Sequence, residues 1–499
     1  MNNYKMLLGA TALCQMVATT ASSQAKKSVA NDGKKNVLMI IVDDWGANDC
    51  SASGSNFYET ANFDGLKSSS VSFSNGYVSY PRSVPSRFSM LTGMHCARPQ
   101  AISKGGDDRK IDQNTLCIAE PFKKAGYQTF YMGKYHLVAN GLNPDDKGFD
   151  INIGGGKAGA PMSYFQPFNE ARKPGGKEAP IEGMDDARPG EYLTDYMNRK
   201  MVDFIQQPHD KPFFAVCSYY AVHTPLEAKP ELIQKYLDKK KKLGLMEDHY
   251  IPEEAGVRKV EQNNEVYAAM VESVDEGIGM IIRALKEKGL YENTHILMIS
   301  DHGGLSNRGQ NMRELATTNV PFKAGKGHLY EGGIRVPFVI HSAGQVKGRV
   351  SDVPVVSYDI LPTLADLCGL NIPANAIIDG SSLGGLLQNK PAGELAKRKL
   401  FWHKVSERPG QTGDYLSTAM RDGDYKLIHF YQQNRVELYN LATDPGETQN
   451  LADEQPGRVK MMLTQMTDWK QQIGAYASVE KEPATQKKGQ KKGQKKGKG

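Results

Sequence analysis

The stretch Asn36-Val37-Leu38-Met39-Ile40-Ile41-Val42-Asp43-Asp44 decides the fold. Its apolar run continues up to Val42, which is typical of a strand buried on both faces of a largely parallel sheet. The run then ends abruptly in two aspartates. Because functional sites of open α/β sheets form beyond the carboxyl ends of the strands, Asp43 and Asp44 are the first candidate site residues.

Other predicted strands end in polar residues in the same way. These are Lys134 and His136 after the strand Tyr127–Met132, His223 after the strand 212–220, and Asp301 and His302 after the strand His295–Ser300. The strands alternate with predicted helices, of which 263–288 has the clearest apolar face, and this alternation predicts an α/β fold. The alternative is that the polar groups lie on unrelated loops, but their recurrence at strand ends favours one shared site.

Between these strands, Ser83-Val84-Pro85-Ser86-Arg87 predicts a loop that turns into a helix, with Pro85 in the first helical position. Ser83 would then lie at the helix N-terminus, where unpaired backbone N–H groups favour negative charge. Arg87 would lie on the same helix face. Taken alone, the stretch is better explained as an ordinary capped helix with a solvated arginine. The polar strand ends make Ser83 a candidate nucleophile instead.

The candidate residues indicate a class of chemistry. Asp43, Asp44 and Asp301 would repel one another unless a hard divalent cation binds them, and His302 could add a nitrogen ligand. The positive charges and proton carriers that accompany them are Arg87, Lys134, His136, His223 and Lys326. A metal and several cations beside a nucleophile suit a tetrahedral anionic ester, either a sulfate or a phosphate.

The character of the sequence changes near residue 395. The part that follows contains three short predicted strands and an amphipathic helix, at 416–421, 424–431, 436–441 and 456–474. We therefore predict a catalytic domain over 36–395 and a C-terminal subdomain, a small antiparallel sheet with one helix, over 396–476. Residues 151–190 are rich in glycine, proline and charge, and they predict a long surface excursion.

The two ends of the chain differ from its body. Residues 1–25 combine a positive start with an apolar run and small residues, which predicts a cleaved signal peptide, and a polar linker follows over 26–35. We therefore predict a secreted or periplasmic protein. A lipid anchor on Cys14 is less favoured, because Leu13 is larger than the residue that usually precedes such a cysteine. The repetitive Lys/Gly/Gln tail 477–499 predicts disorder.

The formal net charge of +6 comes from the chain ends. The segment 481–499 contributes +7 and Lys5 contributes +1, so residues 26–480 carry −2. Such a body gives no sign of nucleic-acid binding, and no apolar run beyond the signal peptide is long enough to span a membrane. The cysteines that remain after cleavage are odd in number and widely spaced, which argues against a disulfide framework, although Cys50 and Cys96 could pair.

Motifs along the whole mature chain resemble those of one family. Ser83-Val84-Pro85-Ser86-Arg87, followed by Leu91-Thr92-Gly93, is similar to the signature Cys or Ser, any residue, Pro, Ser, Arg, then Leu-Thr-Gly. Further matching motifs occur in order: Val42-Asp43-Asp44, Gly133-Lys134-Tyr135-His136, Gly148-Phe149-Asp150, His223-Thr224-Pro225, Gly325-Lys326-Gly327, Arg421-Asp422-Gly423 and Leu438-Tyr439-Asn440. The family that the chain resembles is that of the type I, formylglycine-dependent sulfatases.

The resemblance implies an alkaline-phosphatase-like α/β/α sandwich with a smaller C-terminal subdomain of antiparallel sheet plus helix. It implies that Ser83 is oxidised to formylglycine (3-oxoalanine), whose hydrate attacks sulfur with one hydroxyl and expels sulfate with the other. It also implies one calcium ion, held by Asp43, Asp44, residue 83, Asp301 and His302.

The resemblance implies roles for the remaining residues as well. Arg87 and His136 would contact the formylglycine, Lys134 and Lys326 would neutralise sulfate oxygens, and His223 would donate a proton to the leaving alcohol. Serine, where many family members have cysteine, implies maturation by a radical SAM enzyme before export. A histidine at 302, where asparagine is commoner, leaves the direct metal contact of that residue open.

We therefore predict a sulfuric ester hydrolase that acts on a sulfated small sugar or glycan. Candidate substrate-binding residues in the loops are Arg98, His328 and Arg335. Two alternatives remain on the sequence alone. One is a phosphate or phosphonate ester hydrolase on the same scaffold, and the other is a non-catalytic protein that binds sulfated glycans.

Overall fold

The apolar run at the start of the folded body forms strand β1 (Asn36–Val42), and every residue of β1 is buried. Side chains alternate between the two faces of a strand, so the residues of β1 pack into two hydrophobic cores, one on each face of the sheet. Val37, Met39 and Ile41 belong to one buried cluster, whereas Leu38, Ile40 and Val42 belong to the other. A strand that is apolar on both faces therefore becomes the middle of a helix–sheet–helix sandwich.

The computed structural model describes residues 33–102, 106–137, 142–170 and 179–475. The predicted signal peptide, the lipid-anchor candidate Cys14, most of the linker and the basic tail lie outside these residues. The part from Lys34 onward forms one compact unit. Within the described part, no helix combines the length and the apolar character that a membrane crossing requires.

The further strands follow in chain order. They are β2 (Val71–Phe73), β3 (Gly76–Tyr77), β4 (Gln128–Gly133), β5 (Ile151–Ile153), β6 (Phe213–Ser218), β7 (Tyr250–Glu253), β8 (Gly256–Lys259), β9 (Thr294–Ser300), β10 (Asn307–Arg308), β11 (Phe338–His341), β12 (Arg349–Ser351), β13 (Val355–Val356), β14 (Leu400–Lys404), β15 (Ser417–Asp422), β16 (Tyr425–Phe430) and β17 (Arg435–Asn440).

The helices lie between them. They are α1 (Ala61–Ser68), α2 (Ser83–Thr92), α3 (Ala119–Lys124), α4 (Leu193–Gln206), α5 (Pro230–Leu243), α6 (Glu265–Glu287), α7 (Glu331–Ile334), α8 (Ile360–Cys368), α9 (Gly384–Leu387) and α10 (Pro456–Ile473). Apolar residues of α2, α3 and α8 pack on one face of the sheet, and those of α1, α4, α5 and α6 pack on the other.

The central sheet has the strand order β12-β2-β11-β9-β1-β6-β4-β5. Strand β1 pairs in parallel with β6 and with β9, and β4 pairs in parallel with β6. Strand β11 runs antiparallel to β9. The carboxyl ends of β9, β1, β6 and β4 therefore meet at one edge of the sheet, as the polar strand ends predict.

The C-terminal region forms a separate four-stranded antiparallel sheet in the order β14-β15-β16-β17. Met462 and Met466 of α10 pack against Met420, Leu427 and Leu438 of this sheet. The sequence predicts three of these strands and the helix. Strand β14 was missed, because its residues give no clear alternation.

The predicted surface excursion over 151–190 is partly wrong. It begins with β5, which pairs with β4 and extends the central sheet. Within it, Tyr164 is fully buried and donates hydrogen bonds to the carbonyl oxygens of Tyr220 and His223, at 2.7 and 2.8 Å. Aromatic side chains hold this glycine-rich segment against the body.

Several smaller predictions also change. Helix α2 begins at Ser83 rather than at Pro85, with Arg82 as its N-cap. The predicted helix 114–125 is confined to α3. The predicted strand 334–341 is shortened to β11, because Ile334 ends α7 and residues 335–337 connect the two elements. Cys50 and Cys96 are both buried, and both are free.

Candidate active site

Backbone hydrogen bonds continue the sheet beyond the ends of its central strands. The amide of Asp43 donates to the carbonyl of Ala221 at 3.0 Å, and the amide of Asp301 donates to Val42 at 3.1 Å. The amide of Lys134 donates to Ser218 at 2.8 Å. These bonds fix the polar residues that follow the strands, so their side chains converge on one place.

The first group at this place is acidic. One ligand atom from each of Asp43, Asp44, Asp301 and His302 lies within 4.8 Å of the others, and all four residues are buried. Asp44 has a left-handed backbone with φ of 62°, a conformation that aspartate adopts more readily than most residues. Such strained positions occur at functional sites, where the surroundings hold them.

The charges in this group are only partly balanced by protein cations. Burial and the nearby Asp301 raise the pKa of Asp43 to about 7, although Lys134 contacts its carboxylate. Burial alone would raise the pKa of Asp44, but Lys326 and the neighbouring histidines lower it below its usual range. The cluster therefore has room for a further positive charge.

The donor set fits a divalent cation. Carboxylate oxygens are the preferred ligands of calcium, and a bound ion would relieve the repulsion that raises the pKa of Asp43. The ring of His302 fits the same arrangement. Its Nδ1 faces the Gly303 carbonyl at 3.1 Å and Asp44 Oδ1 at 3.2 Å, which favours a proton there. The lone pair of Nε2 is then free to accept a bond.

Ser83 lies beside this cluster, at the N-terminus of α2. Its Oγ is 3.0 Å from His302 Nε2, 3.4 Å from Asp43 Oδ1 and 3.3 Å from Lys134 Nζ. The side chain is almost completely buried, as are the residues of α2 around it. The prediction that Ser83 and the strand-end residues form one site agrees with this geometry.

Arg87 links the helix to two strand ends. Its Nε donates to Asp301 Oδ2 at 2.9 Å, and its Nη1 donates to the Lys134 carbonyl at 2.9 Å and to Ser218 Oγ at 2.6 Å. Its Nη2 is 3.8 Å from Asp43 Oδ2 and has no hydrogen-bond partner among the described residues. An unpaired guanidinium nitrogen inside a buried site is available to an anionic ligand.

Two lysines approach the aspartates from different loops. Lys134 follows β4 and contacts Asp43. Lys326 donates to both carboxylate oxygens of Asp44, at 2.8 and 3.0 Å. Burial lowers the pKa of Lys134 and Asp43 opposes that shift. Both ammonium groups are thus close to the place where an ester oxygen would carry negative charge.

Two histidines complete the predicted set. His223 Nδ1 donates to the Thr224 carbonyl at 2.7 Å, and its Nε2 lies 3.9 Å from Asp44 Oδ2. His136 has a left-handed φ of 59°, and its buried Nδ1 has no partner among the described residues. A Cβ at Gly159 would lie 2.6 Å from the His136 ring, so the glycine makes room for that ring. Burial and the nearby Lys134 and Lys326 lower the pKa of both histidines.

The three candidate substrate residues make other contacts. Arg98 forms a bidentate ion pair with Asp379, at 2.7 and 2.6 Å. Arg335 donates to the Ser74 carbonyl at 2.7 Å and lies 3.4 Å from Glu331. His328 is buried, and its Nε2 donates to the Thr412 carbonyl at 2.8 Å. These contacts place none of the three in the acidic cluster, and their role in substrate binding stays a prediction.

Arg313 is a residue that the sequence did not single out. Its side chain is half-buried and makes no hydrogen bond or ion pair to any described residue. Burial and Arg408 lower the pKa of Arg313, whereas the negative charge of Asp44 raises it. A lone arginine in a loop gives no sequence signal.

A buried hydroxyl at a helix N-terminus, beside a carboxylate cation site and several protein cations, defines a hydrolase of anionic esters. Comparisons with known proteins identify the ester. The sulfatase family model matches residues 35–370, and the model described as N-sulphoglucosamine sulphohydrolase, C-terminal, matches residues 324–472.

Individual relatives agree. A sulfatase of Formosa agariphila is 28% identical, over 89% of this chain and 88% of its own. An ulvan-active sulfatase of the same organism is 30% identical, over 84% of this chain and 77% of its own. The crystal structure of Ps i-CgsB in complex with k-i-k-neocarrahexaose is similar with a TM-score of 0.68 and 27% identity, over 87% of this chain and 92% of that one.

This chain belongs to the sulfatase family, and it is a sulfuric ester hydrolase. The predicted alkaline-phosphatase-like fold with a C-terminal antiparallel subdomain is confirmed. The prediction of a sulfatase is also confirmed, over the phosphate hydrolase and the glycan-binding protein that the sequence alone left open.

Proposed function

We propose that this sulfatase releases sulfate from a sulfated sugar or glycan, with a formylglycine formed from Ser83 and one bound calcium ion. One observation carries the proposal: Ser83 Oγ lies 3.0 Å from His302 Nε2 and 3.3 Å from Lys134 Nζ, beside the acidic cluster. A nucleophile at this position faces both a cation site and the lysines that neutralise an anion.

The sugar part of the proposal rests on relatives. One relative is named an ulvan-active sulfatase, and one similar structure holds a neocarrahexaose. Ulvan and carrageenan fragments are sulfated glycans. The half-buried, unpaired guanidinium of Arg313, whose pKa the charge of Asp44 raises, suits a substrate that carries more than one negative group.

Oxidation of Ser83 would change what this residue can do. The hydrate of the resulting aldehyde supplies an oxygen that attacks sulfur and a second hydroxyl that later releases the sulfate. A plain serine supplies only the first of these functions. Because the proposed maturation precedes export, a radical SAM enzyme would act on this chain, which we propose to be secreted or periplasmic.

The surrounding residues have distinct proposed tasks. Asp43, Asp44 and Asp301, with His302, would hold the cation, which would supply Lewis-acid polarisation of the groups that bind beside it. The residues that would act on the substrate are Lys134 and Lys326 on the sulfate oxygens, Arg87 and His136 on residue 83, and His223 on the leaving oxygen. His223 presents Nε2 toward the site because its Nδ1 donates to the Thr224 carbonyl.

The mass of the peptide that contains Ser83 tests the nucleophile. The chain is produced in its own host, or together with a maturing enzyme, and digested before mass spectrometry. We expect the loss of two hydrogens or the mass of the hydrated aldehyde, and sulfate release from an aryl sulfate that rises with that fraction. An unmodified Ser83 in a fully active preparation would refute the proposal that formylglycine is the nucleophile.

A further inference from the structure

A second polar cluster adjoins the nucleophile from outside the acidic group. Arg82, the residue before Ser83, donates through Nη2 to Asp414 Oδ1 and Oδ2, at 2.8 and 2.6 Å. Its Nη1 donates to Asp107 Oδ2 and to Ser406 Oγ, both at 2.7 Å. Arg82 is also the N-cap of α2, so its backbone and that of Ser83 move together.

Asp414 also touches the loop that carries Lys326. Gly327 has a left-handed φ of 95°, and a Cβ there would lie 2.6 Å from Asp414 Oδ1. The amide of Gly327 donates to the Pro81 carbonyl at 2.8 Å, which ties this loop to the residue before Arg82. The carboxylate of Asp414 thus lies between the two chain segments that present Ser83 and Lys326.

The neighbouring Thr412 strengthens the same link. Its carbonyl accepts hydrogen bonds from His328 Nε2 at 2.8 Å and from Asn307 Nδ2 at 2.6 Å. Asn307 Nδ2 also donates to the Lys326 carbonyl at 3.2 Å. His328, a candidate substrate residue from sequence, is therefore engaged with the segment after β14.

The charges of this cluster are buried and depend on Asp414. Arg82, Lys404 and Asp414 are all buried, and Lys404 contacts the same carboxylate as Arg82. Removing the charge of Asp414 would take a carboxylate partner from both buried cations and leave Arg82 with its pair to Asp107. Breaking a buried charge pair on one side is costly, and the remaining groups move to find other partners or water.

We propose that Asp414 is a positioning residue: it fixes Ser83 through Arg82 and Lys326 through Gly327, so the C-terminal part of the chain sets the geometry of the active site. The inference rests on the proposed roles of Ser83 and Lys326. It predicts that loss of the Asp414 charge separates these two groups, and catalysis is sensitive to shifts of about 1 Å.

The test uses the full chain, matured by co-expression with its maturing enzyme. In Asp414→Asn we expect kcat for an aryl sulfate to fall roughly 10- to 100-fold. We expect the oxidised fraction of residue 83 to stay at the wild-type value, because the proposed maturation precedes export. An inactive wild-type enzyme, or one without formylglycine, would count against the proposed function and not against the role of Asp414.

Two controls separate positioning from stability. Asp359 is a buried aspartate that forms a bidentate ion pair with Arg398, at 2.6 and 2.7 Å. Asp359→Asn therefore removes a comparable buried ion pair at a different place in the molecule. Lys404→Met removes the second cation and leaves the Arg82 pair in place. Both variants should lose thermal stability and keep kcat per folded molecule.

The result that overturns the proposal is equally definite. If Asp414→Asn keeps the wild-type kcat per folded molecule, Asp414 is structural only. Should that variant not fold, Arg82→Lys serves instead, because it keeps the charge but loses the bidentate contact. A wild-type kcat in Arg82→Lys would overturn the proposal, whereas a lower kcat with an unchanged KM would support it.

Discussion

Lys326 donates hydrogen bonds to both carboxylate oxygens of Asp44, at 2.8 and 3.0 Å. The lysine thus neutralises a proposed metal ligand and remains at the edge of the site, where a sulfate would bind. In Lys326→Met we expect kcat/KM for an aryl sulfate to fall about 10²- to 10³-fold, because one stabilising cation is lost. Steady-state kinetics measure this effect.

The control for this variant lies three residues away. Lys323 lies over the ring of Tyr330, 4.2 Å from the ring centroid, and 3.9 Å from Glu253, so it is engaged elsewhere. Lys323→Met should therefore keep kcat/KM within about twofold, consistent with a change outside the reacting groups. A similar fall of kcat/KM in both variants would show that activity depends on the loop as a whole and not on the charge of Lys326.

Removal of the metal should destabilise the protein. Asp43, Asp44 and Asp301 bring three buried carboxylates together, and burial and the nearby Asp301 raise the pKa of Asp43, so a bound cation would stabilise the cluster. At calcium concentrations about a hundredfold above Kd, binding adds about 2.7 kcal/mol to the free energy of unfolding. Denaturant unfolding in calcium and in a chelator measures the difference, which should vanish in Asp43→Asn. Asp379→Asn, which disturbs the Arg98 ion pair and the His95 amide contact instead of the acidic cluster, should keep this difference.

The strand-end residues were predictable from the sequence for a physical reason. An apolar run such as Val37–Val42 shows where a buried strand ends, and parallel strands place those ends together. Lys326, which a loop brings in, does not follow a predicted strand; its charge made it a candidate, and the motif Gly325-Lys326-Gly327 then supported it. Contacts between segments that are distant in sequence could not be predicted. Arg82 and Asp414 are 332 positions apart, and the residues around neither of them indicate that the two side chains form an ion pair.

Short or irregular elements were also missed. Strand β5 has only partly buried residues and lies at the edge of the sheet, so its sequence lacks the apolar run that marks β1. Its position is set by pairing with β4 and by buried aromatic residues such as Tyr164 that follow it. Such tertiary contacts override the glycine-rich composition that predicted a surface loop.

Arg313 should influence the binding of highly charged substrates. Its guanidinium has no hydrogen-bond or ion-pair partner among the described residues, and the negative charge of Asp44 raises its pKa. In Arg313→Ala we expect KM for a multiply sulfated oligosaccharide to rise roughly tenfold with little change in kcat, the loss of one charge-assisted hydrogen bond. KM for a small aryl sulfate should change much less.

The control and the salt dependence sharpen this prediction. Arg283 is an exposed arginine on α6, so Arg283→Ala removes the same charge without changing KM. The difference between wild type and Arg313→Ala should persist at high salt, since partly buried charges are screened less than exposed ones. Equal KM values in both variants for every substrate would exclude a role for Arg313 in binding.

The stability of the protein should depend on pH through a buried carboxyl group, Glu447, between the central fold and the C-terminal sheet. Lys426 is shared by Glu331 and Glu447, at 2.9 and 2.8 Å, and all three side chains are buried. One lysine cannot balance two carboxylates, so burial raises the pKa of Glu447 to about 7, whereas Lys426 and nearby arginines lower that of Glu331 to about 2. Glu447 therefore binds a proton more tightly in the folded state than in the unfolded state.

The sign of the effect follows from that difference. As the pH rises from about 4.5 to about 7, the unfolded state loses the proton first, and Glu447 reduces the free energy of unfolding by up to about 3 kcal/mol. Glu447→Gln should remove this slope and leave the decline at lower pH that Glu331 causes. Denaturant unfolding between pH 5 and 8 measures it, with Glu394→Gln, an exposed glutamate, as the control. A slope that survives in Glu447→Gln would show that another group takes up the proton.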